Sequence, residues 1–215
     1  METLERKKNI SMAVIKRLPK YYRYLNELAK NDVDRISSKE LSEKIGFTAS
    51  QIRQDLNCFG DFGQQGYGYN VKELLHQIAG ILGLNREYNT VIVGAGNIGQ
   101  AIANYTKFER MSFNLKGIFD INVKLIGLKI RDIEIQDIDD LEGFLRENKV
   151  DIAILCVPKN RAQNVSDVVT KNGVKAIWNF APVDLKVPND VIVENVHLSE
   201  SLMTLSYLLN EQELS

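Results

Sequence analysis

Apolar residues along the first third of the chain recur at helical spacing. Tyr21, Tyr24, Leu25 and Leu28 fall on one face of a predicted helix, with Pro19 near its start. In the stretch SSKELSEKIGFTASQIRQDLNCFG, Ser37 with Glu40 three residues on predicts a capping box, and Thr48 with Gln51 predicts a second. Gly46 sits between them, where a short helix stops. Two short capped helices joined by a tight turn form a helix-turn-helix. The next segment, CFGDFGQQGYGYN, is dense in glycine and aromatic residues and reads as a β-ribbon or wing. NVKELLHQIAGILGLN then predicts an amphipathic connector helix ending at Gly83 or Asn85.

Beyond this point the pattern alternates. Thr90–Val93 predicts a strand, Ile98–Phe108 a helix, and LKGIFD a second strand. DIAILCVP, VKAIWNFAP and DVIVENV are further apolar, β-branched runs, and NRAQNVSDVVTKNG is a helix closed by Gly173. Alternation of this kind implies an α/β fold with a parallel sheet and helices on its faces. Val123–Asp140 is ambiguous and reads as two short strands. The last predicted helix carries Leu202, Leu205, Leu208 and Leu209 on one stripe with nothing after it in sequence. That stripe must pack backwards or onto another chain.

Composition narrows the class. The chain of 215 residues is 44% hydrophobic and 26% charged, ordinary for a soluble globular protein and long enough for two domains. No apolar run approaches the roughly 20 residues of a membrane span, and the N-terminus lacks signal-peptide features. Two cysteines, Cys58 and Cys156, lack metal-ligand spacing and suit a reducing cytoplasm. The net charge of −1 hides an asymmetry. Residues 1–84 carry 13 basic and 10 acidic side chains, and the remainder carries 14 and 18. A mildly basic front half permits a nucleic-acid partner, although a solvated charged surface looks similar.

The most informative phrase is NTVIVGAGNIGQAIA, a strand that runs through G-A-G-N-I-G into a helix. In such a turn the first glycine allows the bend, the second lets backbone approach a pyrophosphate, and the third lets helix and strand pack closely. Asp120 closes the next strand, where a carboxylate accepts hydrogen bonds from an adenosine ribose and repels a 2′-phosphate. Gly94, Ala95, Gly96, Asn97, Ile98, Gly99 and Asp120 therefore point to NADH or NAD⁺; the alternative is a plain tight turn with a capping acid.

In the helix-turn-helix, Ser50, Gln51, Arg53 and Gln54 are expected outward while Ile52 and Leu56 face in. Gln and Arg pair with adenine and guanine edges. Gln64, Gln65 and Tyr67 on the wing have the chemistry to reach a minor groove or phosphates, whereas a purely structural helix pair is the alternative. Lys7, Lys8, Lys16, Arg17 and Lys20 form either a solvated face or a phosphate-facing one. Both cysteines read as buried fillers rather than thiolates. His76 reads as surface, and His197, ending a strand, as the better functional candidate beside a satisfied structural role.

The phrases ASQIRQDLNCFGDFGQQGYGYNV, VIVGAGNIGQAIANY, CVPKNRAQNV, NFAPVDLKVP and VENVHLSESL closely resemble the Rex family of redox-sensing transcriptional repressors, over nearly the whole chain. The resemblance implies a winged-helix DNA-binding domain over residues 1–84 and a Rossmann NAD(H)-binding domain over 85–198. It further implies a helix over 199–215 that swaps across a homodimer to pack between the partner's two domains. Gly94 to Gly99 match the pyrophosphate loop and Asp120 the ribose acid. Tyr105, Val157, Pro158, Asn179, Phe180 and Pro182 match the nicotinamide surroundings. Arg53 matches a DNA-reading arginine and Gly66-Tyr67-Gly68 the wing tip. Arg23 matches an arginine that, in some members, pairs across the dimer with an aspartate.

Three positions depart from that pattern. His197 stands where the aspartate is expected, Gln54 where a second basic residue is frequent, and Gln64-Gln65 at a wing position that is frequently basic. The expected protein is a repressor, not an enzyme, that binds inverted-repeat operator DNA when NADH is low. The competing readings are an NAD-dependent dehydrogenase with an accessory domain, and a ligand-binding module without DNA.

Overall fold

The computed structural model describes residues 10–60, 62 and 67–213. The chain divides into two compact units between Arg86 and Glu87.

The first unit is a small helical domain. Helix α1 (Met12–Lys30) begins where the Ser11 hydroxyl accepts the Val14 N–H, and it buries Val14, Leu18, Tyr21 and Leu25. It starts well before the predicted position, so Pro19 lies inside the helix. Strand β1 (Arg35–Ile36) precedes α2 (Ser38–Ile45) and α3 (Ala49–Asn57). The Ser37–Glu40 capping box is closed in both directions. The second box is half formed: Thr48 accepts the Gln51 N–H, but the Gln51 side chain turns to Asp55 instead of back to Thr48. The Gln51 amide donates to the buried Asp55 carboxylate, a charge-assisted bond, instead of accepting the exposed Thr48 N–H. Gly46 ends α2 with a left-handed φ of 72°, as its position between two helices predicts. Strand β2 (Tyr69–Asn70) pairs antiparallel with β1, and α4 (Val71–Ile81) follows. Thus the ribbon expected over residues 58–70 pairs with the segment before α2, through two residues of each strand. Gln64, Gln65 and Gly66, like Lys7 and Lys8, lie outside the described residues.

The second unit is a seven-stranded sheet. Its elements are β3 (Tyr88–Val93), α5 (Asn97–Ala103), β4 (Phe113–Asp120), β5 (Lys129–Ile130), β6 (Ile133–Asp137), α6 (Leu141–Glu147), β7 (Ile152–Leu155), α7 (Lys159–Lys171), β8 (Ala176–Asn179), β9 (Ile192–Asn195) and α8 (Leu198–Glu213). The strand order is β5-β6-β4-β3-β7-β8-β9, parallel except for the β5–β6 hairpin that resolves the ambiguous Val123–Asp140 region. The period of two along β3 divides the core. Val91 and Val93 pack with Leu141, Leu145 and Val169 of α6 and α7, while Ile92 packs on the opposite face with Ala103 of α5.

Two features differ from the pattern-based expectation. Helix α5 stops at Ala103, not Phe108: the Asn104 side-chain amide also donates to the Gln100 carbonyl, and the Tyr105 N–H turns to the Ile102 carbonyl three residues back instead of continuing the four-residue ladder. Tyr105 and Phe108 then leave the helix and stack edge-on, with Phe108 against Trp178. Helix α6 carried no caps or length that the pattern could register. Among the described residues, no helix is long and apolar enough to cross a membrane.

Candidate functional site

The chain runs outward from β3 through β4 to β6, then returns to build β7 to β9 on the other side. A crevice therefore opens at the carboxyl ends of β3 and β7, the place where open α/β sheets take ligands. Its rim is the glycine turn. Gly94 has φ +100°, and a Cβ there would sit 2.5 Å from the Cys156 carbonyl oxygen. A Cβ on Gly99 would overlap the Gly94 carbonyl oxygen. A Cβ on Gly96 would meet no protein atom within 4 Å. Two glycines are thus required by the fold, and the middle one leaves its space to something outside the chain.

Asp120 ends β4 beside this turn. Its Oδ2 accepts the Ala95 N–H at 2.5 Å and its Oδ1 accepts the Asn122 N–H at 2.7 Å. The cleft measures about 800 Å³, ample for a dinucleotide. Of the predicted residues, Gly94, Gly96, Ile98, Asp120, Val157, Pro158, Phe180 and Pro182 line it together. Ala95 and Gly99 are buried in the turn, and Asn97 is exposed at the first position of α5. Asn179 is buried: its amide group donates to the Ala181 and Val183 carbonyls and to Asn195 Oδ1, and accepts the Ala181 N–H. It shapes the loop that carries Phe180 and Pro182 and does not line the cleft.

Tyr105 is not brought to the cleft either. It lines a separate apolar groove of about 320 Å³ on the α5 face, with Phe108, Phe113 and Trp178. The two cavities are nevertheless joined by rings. Tyr105–Phe108, Phe108–Trp178 and Trp178–Phe180 are edge-to-face pairs with centroids 4.8, 5.7 and 4.7 Å apart.

Sequence reasoning missed Arg161 and Asn164, which line the cleft from α7, and Asp139 and Glu142 opposite acids on the α6 side. Arg161 is the one basic residue among the lining residues. The available signal was its position one turn after Val157-Pro158. Cys156 is half-buried in the cleft lining, and burial pushes its thiol up to about 12, so it stays neutral, whereas Cys58 is exposed at the end of α3 and is not the buried filler expected of it. His197 Nδ1 lies 2.8 Å from Glu200 Oε1 at the start of α8. Arg23 is exposed on α1, and His76 is exposed on α4.

The second candidate surface is α3. Ser50, Arg53 and Gln54 are exposed, with the Arg53 guanidinium donating to Ser38 Oγ at 2.9 Å. Gln51 is half-buried and committed to Asp55, so the outward orientation expected of it does not hold. Arg17 likewise leaves the expected basic face and pairs bidentately with Asp55, while Lys20 lies over the Phe47 ring at 4.7 Å. Tyr67 is 71% exposed, and Arg35 donates to its carbonyl and lies over its ring. Asp55 itself had no signal in the sequence, because Arg17 and Tyr21, which bind it from α1, are 38 and 34 residues away.

Two family models match parts of the chain. Residues 9–57 match the family model described as "Putative DNA-binding protein N-terminus", and residues 85–183 match the "CoA binding domain" model. The "Redox-sensing transcriptional repressor Rex" of Clostridium tetani is 73% identical over 98% of this chain and 100% of its own length. That of Clostridium acetobutylicum is 72% identical, covering 97% of each chain. Among solved structures, RSP in complex with β-NAD⁺ and operator DNA superposes with a TM-score of 0.90 at 67% identity, over 96% of this chain and 95% of that one. RSP in complex with β-NADH gives a TM-score of 0.88 at 65% identity, over 95% and 96%.

Proposed function

This chain belongs to the Rex family of redox-sensing transcriptional repressors, and we propose that it binds operator DNA through α3 and is released when NADH fills the cleft beside the glycine turn. The observation that carries the ligand half is the open space at Gly96, set between two glycines that the fold itself requires. The first N–H groups of a helix lack intrahelical partners, so the turn into α5 offers donors to phosphate oxygens. Asp120 supplies a carboxylate for the ribose hydroxyls in this reading, and Arg161 supplies positive charge in a cleft that also holds Asp139 and Glu142.

NADH and NAD⁺ differ by the positive charge of the oxidised nicotinamide ring. Phe180 and Pro182 line the cleft, and the ring series runs from Phe180 to Tyr105. A preference of these residues for one redox form biases the arrangement of the protein, and linkage then requires operator DNA to weaken NADH binding by the same factor. Half-sites are read together only when two recognition helices stand about one DNA turn apart, or a multiple of it. The homodimer this needs has a candidate surface: Leu202, Leu205, Leu208 and Leu209 of α8 are 54–66% exposed, a stripe for a second copy to cover, with residues 199–215 as a swapped segment.

The protein acts in the cytoplasm as a sensor, not an enzyme. The lining of the cleft has no histidine, lysine or tyrosine to carry a proton near neutrality, and its thiol is held neutral. Operator affinity at saturating NADH and at saturating NAD⁺, with NADH affinity at saturating operator, tests the reading. Two equal coupling factors are expected; an operator affinity untouched by NADH returns the dehydrogenase reading.

A further inference from the structure

Helix α3 buries three residues, Ile52, Asp55 and Leu56. Two are aliphatic, and the third is a carboxylate only 1% exposed. Both of its oxygens are saturated. Oδ2 accepts Arg17 Nε and the Tyr21 hydroxyl, each at 2.6 Å, and Oδ1 accepts Arg17 Nη2 at 2.7 Å and Gln51 Nε2 at 2.9 Å. Arg17 and Tyr21 are one turn apart on α1, so three of these bonds fasten one face of α1 to one face of α3, while the Gln51 bond lies within α3.

Stability alone gives little reason for this arrangement. Buried ion pairs hold a fold no better than well-packed apolar residues of similar volume. What a bidentate fork supplies is direction, because its donors lie in one plane at fixed angles. Each residue advances about 100° around a helix. Ile52 and Leu56 alone define the rotation of a nine-residue helix loosely, since aliphatic contacts are non-directional. A roll of about 30° at a helix surface radius of about 5–6 Å moves the surface roughly 3 Å. That displacement exceeds the tolerance of any hydrogen bond to a base edge.

We propose that the Arg17–Asp55–Tyr21 cluster fixes the rotation of α3 about its axis, making Asp55 the positioning residue for base reading by Ser50, Arg53 and Gln54. It also removes Gln51 from the reading set by holding its side chain amide inward. This rests on the operator-binding reading above, and adds to it which residues determine specificity without touching DNA.

The test uses the full chain and a randomised duplex library from which the wild-type protein enriches its preferred sequence. The variant Arg17→Met, Tyr21→Phe, Asp55→Leu removes one charge of each sign, so the electrostatic contribution to non-specific binding is preserved. The ratio of affinities for the enriched and a scrambled duplex is expected to fall at least tenfold. Affinity for the scrambled duplex should stay within twofold, and NADH titration should be unchanged. Asp55→Glu, which keeps the charge and lengthens the arm by one methylene, should lower the same ratio at least threefold and serves if the triple variant melts below the assay temperature. Wild-type enrichment with an unmoved ratio in the folded variant overturns the positioning role alone. Failure of the wild-type chain to enrich any sequence overturns the operator reading, and this proposal with it.

Discussion

Asp120 and Ala95 are joined by a short hydrogen bond, 2.5 Å from the Ala95 N–H to the carboxylate, that ties the end of β4 to the glycine turn after β3. One side chain thereby shapes the glycine turn and holds a negative charge in the lining of the cleft, where we propose that the cofactor's ribose binds. Asp120→Ala is expected to weaken NADH by about 1.5–3 kcal/mol, the worth of a hydrogen bond to a charged group. It should also narrow the preference for NADH over NADPH, since the repulsion of a 2′-phosphate goes with the charge. Fluorescence titration with both cofactors checks this; equal affinities for the wild-type chain contradict it.

The glycines separate folding from binding. Gly99→Ala forces α5 away from the Gly94 carbonyl, so the second unit should lose stability by several kcal/mol, as overpacking and strain do. Gly96→Ala meets no protein atom, so its melting temperature should match the wild type while NADH affinity falls at least tenfold. Calorimetry beside ligand titration distinguishes the two.

Arg53 is exposed on α3, and among the described residues it donates to the Ser38 hydroxyl, a contact easily exchanged for a base. Arg53→Ala should cost about 1–3 kcal/mol and relax preference at one base pair per half-site. Gln54→Lys should steepen the salt dependence of operator binding by about one unit of slope per site. Unchanged operator binding by the Arg53 variant assigns recognition to another element.

Acid sensitivity of the first unit follows from Asp55. Burial works against its ionised form, but hydrogen bonds from Arg17, Tyr21 and Gln51, with the arginine charge, hold the carboxyl below its ordinary value. The stability this contributes is fully present above the unfolded carboxylate pKa of about 3.9 and is lost as pH falls through the lower folded value. Asp55→Asn should flatten that acid limb and lower stability at neutral pH, because Arg17 is left half-buried without its counter-charge. Urea melts of the two chains between neutral and acid pH measure both effects.

The exposed stripe on α8 is expected to hold two chains together. Removing residues 199–215 should convert a particle of two-chain mass into single chains or aggregate, measured by sedimentation, and should abolish operator binding. A truncated chain that stays dimeric places the interface elsewhere.

Much of this molecule is written in short-range pattern. The Ser37–Glu40 box, the Gly46 stop, the strand–glycine–helix turn and Asp120 at the next strand end each depend on residues within a few positions or one βαβ unit. Their geometry is set by backbone torsion and local hydrogen bonding, so the sequence determines them by itself. Tertiary structure decided the rest. Arg17 looked like surface charge until α1 and α3 packed and brought it to Asp55, 38 residues away. Gln51 satisfied a capping pattern, but its amide donates to the Asp55 carboxylate that packing buried beside it instead of accepting the Thr48 N–H. Tyr105 and Phe180, alike in sequence as ring-sensing aromatics, ended in different cavities because α5 terminates early and the β8 loop is drawn in by Asn179. Side-chain partnership between elements depends on how those elements are oriented in space, and no periodicity along the chain encodes that orientation.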